Sequence, residues 1–374
     1  MSDDASLPPN APMINGHDSP PQIDGEEDAS PSSITGPASV QPSLEAVCAD
    51  LHARVTAFLN KTPGSDSTGK VQEQVRISIS VIEKALTDYE FSSLSLSYNG
   101  GKDCLVLLIL YLYSLYSHFR PSAKLAAAAS STSSSNHNMT TTSNPPPPSS
   151  PSGPFPTSIP AIYAQSPDPF PAMDNFVTTS SQRYHLDLCT IRTNPRPGQH
   201  SHTHEHRSLK PSPLSNSDPP TRPETPPGDA SKRITIRDAF ATYLSHTSNA
   251  TSTRPLPNKI RAIFVGTRRT DPHGENLTHF DRTDHGWPDF MRIHPVIDWR
   301  LSEIWLFLRA DELKEADGKP LEYCEMYDEG YTSLGGVGDT VRNPRLRYVD
   351  EDGRERYRPA YQLTEDGDER LGRG

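Results

Sequence analysis

Between Leu94 and His118 the apolar pattern changes period abruptly, and that change limits the fold more than any other feature of the chain. Leu94, Leu96 and Tyr98 alternate with serines, the two-residue period of a strand. The turn Asn99-Gly100-Gly101-Lys102-Asp103 follows. The next stretch, CLVLLILYLYSLYSH (104–118), is apolar on nearly every face, which predicts a buried helix. Strand, glycine turn and buried helix open a βαβ unit.

Patterns elsewhere extend that unit. In SLEAVCADLHARVTAFLN (43–60) the apolar residues recur at three- and four-residue spacings, an amphipathic helix with Ser43 as its N-cap. Residues 70–90 repeat the pattern and predict a second helix. Ile162 and Tyr163 read as a short strand, PAMDNFVTTSSQR from Pro171 as a helix, and HLDLCTI (185–191) as a strand. IRDAFATYLSHT (236–247) returns to helix and RAIFVG (261–266) to a buried strand. The recurring β–α order predicts the α/β class, with a Rossmann-like, mostly parallel sheet and helices on both faces.

Composition explains what interrupts this order. Thirty-eight prolines and a 33% hydrophobic share in 374 residues suit a core domain carrying disordered segments. Residues 1–43 read as a disordered acidic tail, and 121–160 and 193–231 as low-complexity insertions in a single catalytic domain, 44–374. The net charge of −11 belongs mostly to the ends: residues 1–43 hold seven acids and no Lys or Arg, and 349–374 hold eight acids and five Arg. With no basic surface, nucleic-acid binding is not expected. No stretch approaches the roughly 20 apolar residues of a membrane-spanning helix, and MSDDASLPPN lacks the pattern of a secretory signal. Four scattered cysteines without a C-x-x-C suit a reducing compartment, and a cytoplasmic location is expected.

Four segments carry candidate chemistry. In Ser97–Asp103, two glycines allow backbone amides to face an anion, the following helix adds its positive end, and Lys102 adds a charge. Asp103 suits a helix cap or a Mg²⁺ ligand. Two glycines alone also fit a plain strand-to-helix turn, and the spacing is neither that of a Walker A loop nor G-x-G-x-x-G. Gly266-Thr267-Arg268-Arg269-Thr270-Asp271-Pro272 follows a strand directly, where α/β sheets bind ligands, although a solvated charged loop fits as well. Trp287, among polar residues, is a candidate for stacking on a heterocycle, whereas Trp299 and Trp305 read as core. The stretch 327–336 reads only as an ordered loop.

Taken in order, SYNGGKDC (97–104), AIFVGTRRTDP (262–272), TDHGWPDFMRIHPVIDW (283–299), YCEMYDEGYTSLGG (323–336), NPRL (343–346) and PAYQLTEDGDERLGR (359–373) resemble the eukaryotic FAD synthases. These are FMN adenylyltransferases in the PAPS-reductase-like branch of the PP-loop ATP pyrophosphatase (adenine nucleotide alpha-hydrolase-like) fold. The resemblance covers most of 85–120, 161–191 and 234–373. It implies transfer of AMP from MgATP to FMN, giving FAD and pyrophosphate, with ATP and FMN as substrates and Mg²⁺ as cofactor. By the same resemblance, Ser97, Tyr98, Asn99, Gly100, Gly101, Lys102 and Asp103 hold the triphosphate. Ile162 and Tyr163, at a strand end, receive adenine. Arg268 and Arg269 lie near phosphates, and Asp103 and Asp271 organise the metal. Asp284, Trp287 and Arg292 face the flavin, and Arg370 and Arg373 are mobile phosphate-binding arginines. Asn99, Lys102, Asp103, Asp271, Arg370 and Arg373 form the implied catalytic set. One departure is Asp339, where the family pattern leads one to expect Asn.

Other functions compete. A PAPS reductase needs a nucleophilic cysteine, yet position 336 is Gly and none follows Cys324. A sulfate adenylyltransferase needs no flavin site. The Pro-rich run PPPPSSPSGP (145–154) fits polyproline II and an SH3- or WW-type partner, or an inert loop. The alternating histidines of HSHTHEH (200–206) fit metal binding on composition alone.

Overall fold

The structure, a computed structural model, describes residues 41–121, 154–194, 234–245, 260–284 and 286–373. The acidic tail to residue 40, the Pro-rich run 145–153 and the histidine tract 200–206 lie outside the described residues. Gln41–Gly374 form one compact unit.

Two long helices come first, α1 (Leu44–Asn60) and α2 (Asp66–Asp88). Ser43 caps α1, its side chain accepting from the Ala46 amide at 3.3 Å. α2 starts four residues before the expected boundary, because Ser65 caps it through the Thr68 amide at 3.2 Å. β1 (Leu94–Ser97) then leads into α3 (Lys102–Phe119). β2 (Ile159–Gln165), α4 (Pro171–Arg183), β3 (Leu186–Arg192), α5 (Ile236–Ser245) and β4 (Ala262–Phe264) continue the alternation. β5 (Phe280–Arg282), β6 (Met291–Ile293) and α6 (Leu301–Leu308) complete the main layer. Two ends of the expected insertions prove ordered. Ile159 and Pro160 already belong to β2, paired with β3. The Thr193 amide continues the ladder onto the Gln165 carbonyl at 2.9 Å.

The sheet order is β3-β2-β1-β4-β6-β5. Every pairing is parallel except β5 with β6, so an antiparallel strand closes one edge. Side chains alternate between two cores. Ala161 and Tyr163 of β2, with Ala262 and Phe264 of β4, join the larger core, which α1 to α4 and α6 cover. Ile162 and Ile263 face the other way, into a smaller core under α5 with Phe240, Tyr243 and Phe290. Helices therefore pack on both faces, very unequally. In α3, every residue from Leu105 to Leu112 is fully buried, as its unbroken apolar run requires. Trp299 and Trp305 are core residues; the Trp299 indole donates to Ser78 Oγ at 2.9 Å. Among the described residues no helix is long and apolar enough to cross a membrane. Beyond α6 the chain is mostly turns and 3-10 segments, plus a small hairpin of β7 (Arg347–Val349) and β8 (Glu355–Tyr357). The hairpin's short, charged strands carry no apolar alternation, so sequence pattern missed it.

One core residue gives stability a pH dependence. His294, directly after β6, is 1% exposed, and neither ring nitrogen has a hydrogen-bond partner among the described residues. Burial, helped by the charge of Arg292, lowers its pKa to about 4. The unfolded chain binds a proton near pH 6.5 that the folded chain refuses until about pH 4. Stability is therefore full above pH 6.5 and falls as pH drops through that window, by on the order of 3 kcal/mol. Thermal unfolding of His294→Phe between pH 7 and pH 4.5 should show a smaller acid-side loss than wild type; parallel curves would refute this.

Candidate active site

β1 is the point at which the strand order reverses. From it the chain runs outward through β2 to β3, then returns to β1's other side as β4. Ligands in open α/β sheets bind beyond the carboxyl ends of the strands at such a point. The two loops that leave there are Tyr98–Gly101 and the stretch after Phe264. The second lies against the helix that follows the first: a Cβ on Gly266 would stand 2.7 Å from Cys104 Sγ and 3.0 Å from the Cys104 amide nitrogen. Only glycine lets the β4 loop lie against the first turn of α3.

The glycine turn is held from several sides. Gly100 has φ +73°, a left-handed conformation that glycine adopts without strain. A Cβ on it would also meet Val177 of α4 at 2.8 Å. Asn99 Oδ1 accepts the Gly101 amide at 3.0 Å, and the Tyr327 hydroxyl accepts the Lys102 amide at 2.9 Å. Tyr327 is fully buried and comes from the stretch that sequence read only as an ordered loop. These two amides are thus taken inside the protein, and the positive end of α3 is what the turn presents to an anion.

Behind the turn lies a buried charge cluster. Lys102 is 2% exposed; its Nζ donates to Asp103 Oδ2 at 3.0 Å and to Glu369. Arg268, 1% exposed, donates to the other oxygen of Glu369 and lies 3.4 Å from Asp366. Its Nε is 2.7 Å from Asp103 Oδ1, a contact of charges without the alignment of a hydrogen bond. Asp271 Oδ2 accepts the Arg268 amide at 2.9 Å, and Arg370 approaches Asp271 at 3.9 Å. Burial would raise the Asp103 pKa, but Lys102 and Arg268 outweigh it and hold the carboxyl below its usual range. Asp271 is pushed the other way, by burial and then by the charge of Asp103.

The C-terminal segment supplies the far wall. Asp366–Gly372 form a 3-10 stretch carrying Asp366, Glu369 and Arg370. Arg373 follows, its guanidinium occupying the space where a Cβ on Gly335 would stand. Asp339, the departure noted in sequence, pairs with Arg373 at 3.2 Å.

Several expectations need correcting. Lys102 is not a free cation facing the turn; two carboxylates take its charge inside the protein. Tyr98 is 1% exposed and donates to Ser180 Oγ at 2.8 Å, so its side chain is core. Ile162 and Tyr163 do not end a strand, since β2 runs on to Gln165. Ile162 is fully buried in the smaller core, and the Tyr163 hydroxyl donates to Asp174 at 3.0 Å. Arg269 does not join the cluster; it binds Asp298 at 2.6 Å and the carbonyls of Glu275 and Leu277. Sequence reasoning missed Glu369 and Asp366, hidden in a run of charges resembling a solvated tail.

Asp284, Trp287 and Arg292 do come together. The Trp287 amide donates to the Asp284 carbonyl at 3.1 Å, and Arg292 lies 3.6 Å from the Asp284 carboxylate. Their loop enters at the amino end of β6, the sheet edge opposite the one where the glycine turn lies. Arg292 pairs in register with Ile263 and shares its face. Trp287 packs on the smaller core, its ring centroid 6.2 Å from that of Phe240.

Residues 93–342 match the family model of the phosphoadenosine phosphosulfate reductase domain. Over 316 residues the chain is 31% identical to the "Probable FAD synthase" of Schizosaccharomyces pombe, covering 84% of each protein. The chain belongs to the FAD synthase family. It is also 30% identical over 255 residues to the flavin adenine dinucleotide synthase of Saccharomyces cerevisiae, spanning 68% of this chain and 60% of that one. The fold of this chain aligns with that of Candida glabrata FMN adenylyltransferase in complex with FAD and inorganic pyrophosphate, at TM-score 0.63 and 24% identity. That alignment covers 90% of this chain and 99% of the other.

The close approach at Gly266 gives a direct test. Gly266→Ala should destabilise the protein by roughly 1–3 kcal/mol through overpacking against Cys104, measured by urea unfolding. An unchanged midpoint would mean that the β4 loop is not packed against the first turn of α3.

Proposed function

We propose that the chain is an FMN adenylyltransferase that transfers AMP from MgATP to FMN, giving FAD and pyrophosphate. The observation that carries this is the positive end of α3 with two neighbouring carboxylates at the switch point, in a chain of the FAD synthase family. A phosphate oxygen of FMN attacks the α-phosphorus of ATP, the bond from that phosphorus to the bridging oxygen breaks, and pyrophosphate leaves. No protein nucleophile is required, so the residues position the substrates and balance charge.

The glycine turn and the positive start of α3 receive the triphosphate, with Asn99 and Tyr327 fixing the turn's shape through the Gly101 and Lys102 amides. Arg370 and Arg373 meet the phosphates from the C-terminal side. Asp103 and Asp271 fit a divalent cation as neighbouring carboxylates: burial and then the Asp103 charge raise the Asp271 pKa, and Asp103 Oδ1, 2.7 Å from Arg268 Nε, accepts no aligned hydrogen bond. Two carboxylates plus substrate phosphates are a common donor set for Mg²⁺. When bound, Mg²⁺ would neutralise charge developing on the phosphates. FMN lies along the sheet face beside the smaller core, its ring against Trp287 with Arg292 and Asp284 at the ring's polar edge, and its phosphate directed toward the glycine turn.

All four cysteines are unpaired, which suits a reducing compartment, and the cytoplasm is the location we infer. The Pro-rich run 145–154 has the composition to meet an SH3- or WW-type domain as polyproline II, apart from catalysis.

Chromatography of the protein incubated with FMN, ATP and Mg²⁺ should show FAD and an equal amount of pyrophosphate, both abolished by EDTA. Unchanged FMN would overturn the proposal. Asp103→Ala and Asp271→Ala should each lower turnover at least ~100-fold, the scale of a single electrostatic group. Wild-type rates in both folded variants would remove these residues from the site.

A further inference from the structure

We propose that Glu369 is a positioning residue of the nucleotidyl-transfer site: a fixed internal counter-ion that holds Lys102 and Arg268 in place and ties them to the C-terminal arginines. This rests on the adenylyltransferase reading and adds a role that none of the site's recognised motifs assigns.

Glu369 is 4% exposed. Its carboxylate is divided between two cations, one oxygen accepting from Lys102 Nζ and the other from Arg268 Nη2. Its main chain is anchored separately. The Glu369 carbonyl accepts from Thr332 Oγ1 at 2.6 Å, and the neighbouring Asp368 carbonyl accepts from Asn343 Nδ2 at 2.8 Å. Thr332 and Asn343 are both buried, and Asn343 Nδ2 also donates to Thr332 Oγ1 at 2.8 Å. A carboxylate acting as a removable stand-in for phosphate needs a backbone free to leave. This one is pinned at both ends.

The charge balance gives the pinning a purpose. Asp103 and Glu369 each contact both Lys102 and Arg268, whereas Asp366 contacts Arg268 alone, at 3.4 Å. With Glu369 present, Asp103 is one of two carboxylates that the two cations share and keeps affinity for a divalent cation. Without its charge, both buried cations pull on Asp103, and metal binding weakens. Arg370 follows Glu369 directly in sequence, so the same anchor sets where that guanidinium meets the triphosphate.

The test compares wild type, Glu369→Gln and Glu369→Asp. Calorimetry measures ATP binding across a Mg²⁺ titration without FMN, and turnover is then measured with FMN. The Gln variant should need about tenfold more Mg²⁺ for half-maximal ATP binding and turn over about 100-fold more slowly. The Asp variant, which keeps the charge, should fall between it and wild type. The Mg²⁺ midpoint is a property of each folded molecule, so a merely structural role, which lowers the folded fraction, leaves it unmoved. A wild-type midpoint and a turnover within threefold of wild type in the Gln variant would overturn the proposal. If the Gln variant does not fold, wild-type values of both quantities in the Asp variant overturn it. Failure of wild type to make FAD overturns the adenylyltransferase reading instead, and the Mg²⁺ midpoint for ATP binding still decides the role of Glu369.

Discussion

A guanidinium buried inside a ring of carboxylates organises this molecule. Arg268 sits on the loop after β4, Asp103 on α3, and Asp366 and Glu369 on the C-terminal segment. A charge taken out of water is tolerable only when paired, and deleting one member of such a pair costs about 3–5 kcal/mol. The cluster therefore fixes three distant pieces of chain against one another. Asp366 extends the arrangement, since its Oδ1 also accepts the Leu301 amide at 2.7 Å and so caps α6. The sheet brings the two loops to one edge, and the charges set how they meet.

The parts of this design that were legible in sequence are local. The β1–turn–α3 unit could be read because alternation, two glycines and an unbroken apolar run occupy adjacent positions. The helices α1, α2 and α5 and the wider alternation of strand and helix were legible for the same reason. Strands β5 to β8 were not, because they are as short as β4 but lack its unbroken apolar run. The charge cluster was invisible for a different reason. Glu369 and Lys102 are 267 positions apart, and a carboxylate in an acidic run looks solvated unless its partner is known. Lys102 itself was misread because its place beside two glycines suggested exposure, whereas the helix start turns its side chain inward. Tyr327 shows the same limit, since nothing local indicates that a loop tyrosine will accept an amide at the start of α3.

The unequal faces of the sheet also follow from topology. Crossovers that run outward from β1 put α3 and α4 on one side, and the return to β4 puts α5 on the other, as right-handed connections require. α1, α2 and α6 then join the first side, leaving the second, among the described residues, with a single helix and an aromatic cluster of Phe240, Trp287 and Phe290. The larger core thus lies on one face and the smaller on the other.

The crossover from α3 to β2 leaves at Phe119 and re-enters at Ile159, at the sheet edge opposite the glycine turn. Parallel strands make this unavoidable: one edge collects the strand-to-helix turns, the other the helix-to-strand returns. Chain added on the return side lengthens a loop whose closure entropy grows only as the logarithm of its length. It alters neither the register of β1 with β2 nor the packing of the β4 loop at Gly266. The fold thus pairs a crossover that can lengthen almost freely with a contact, at Gly266, where a single methyl group is too much.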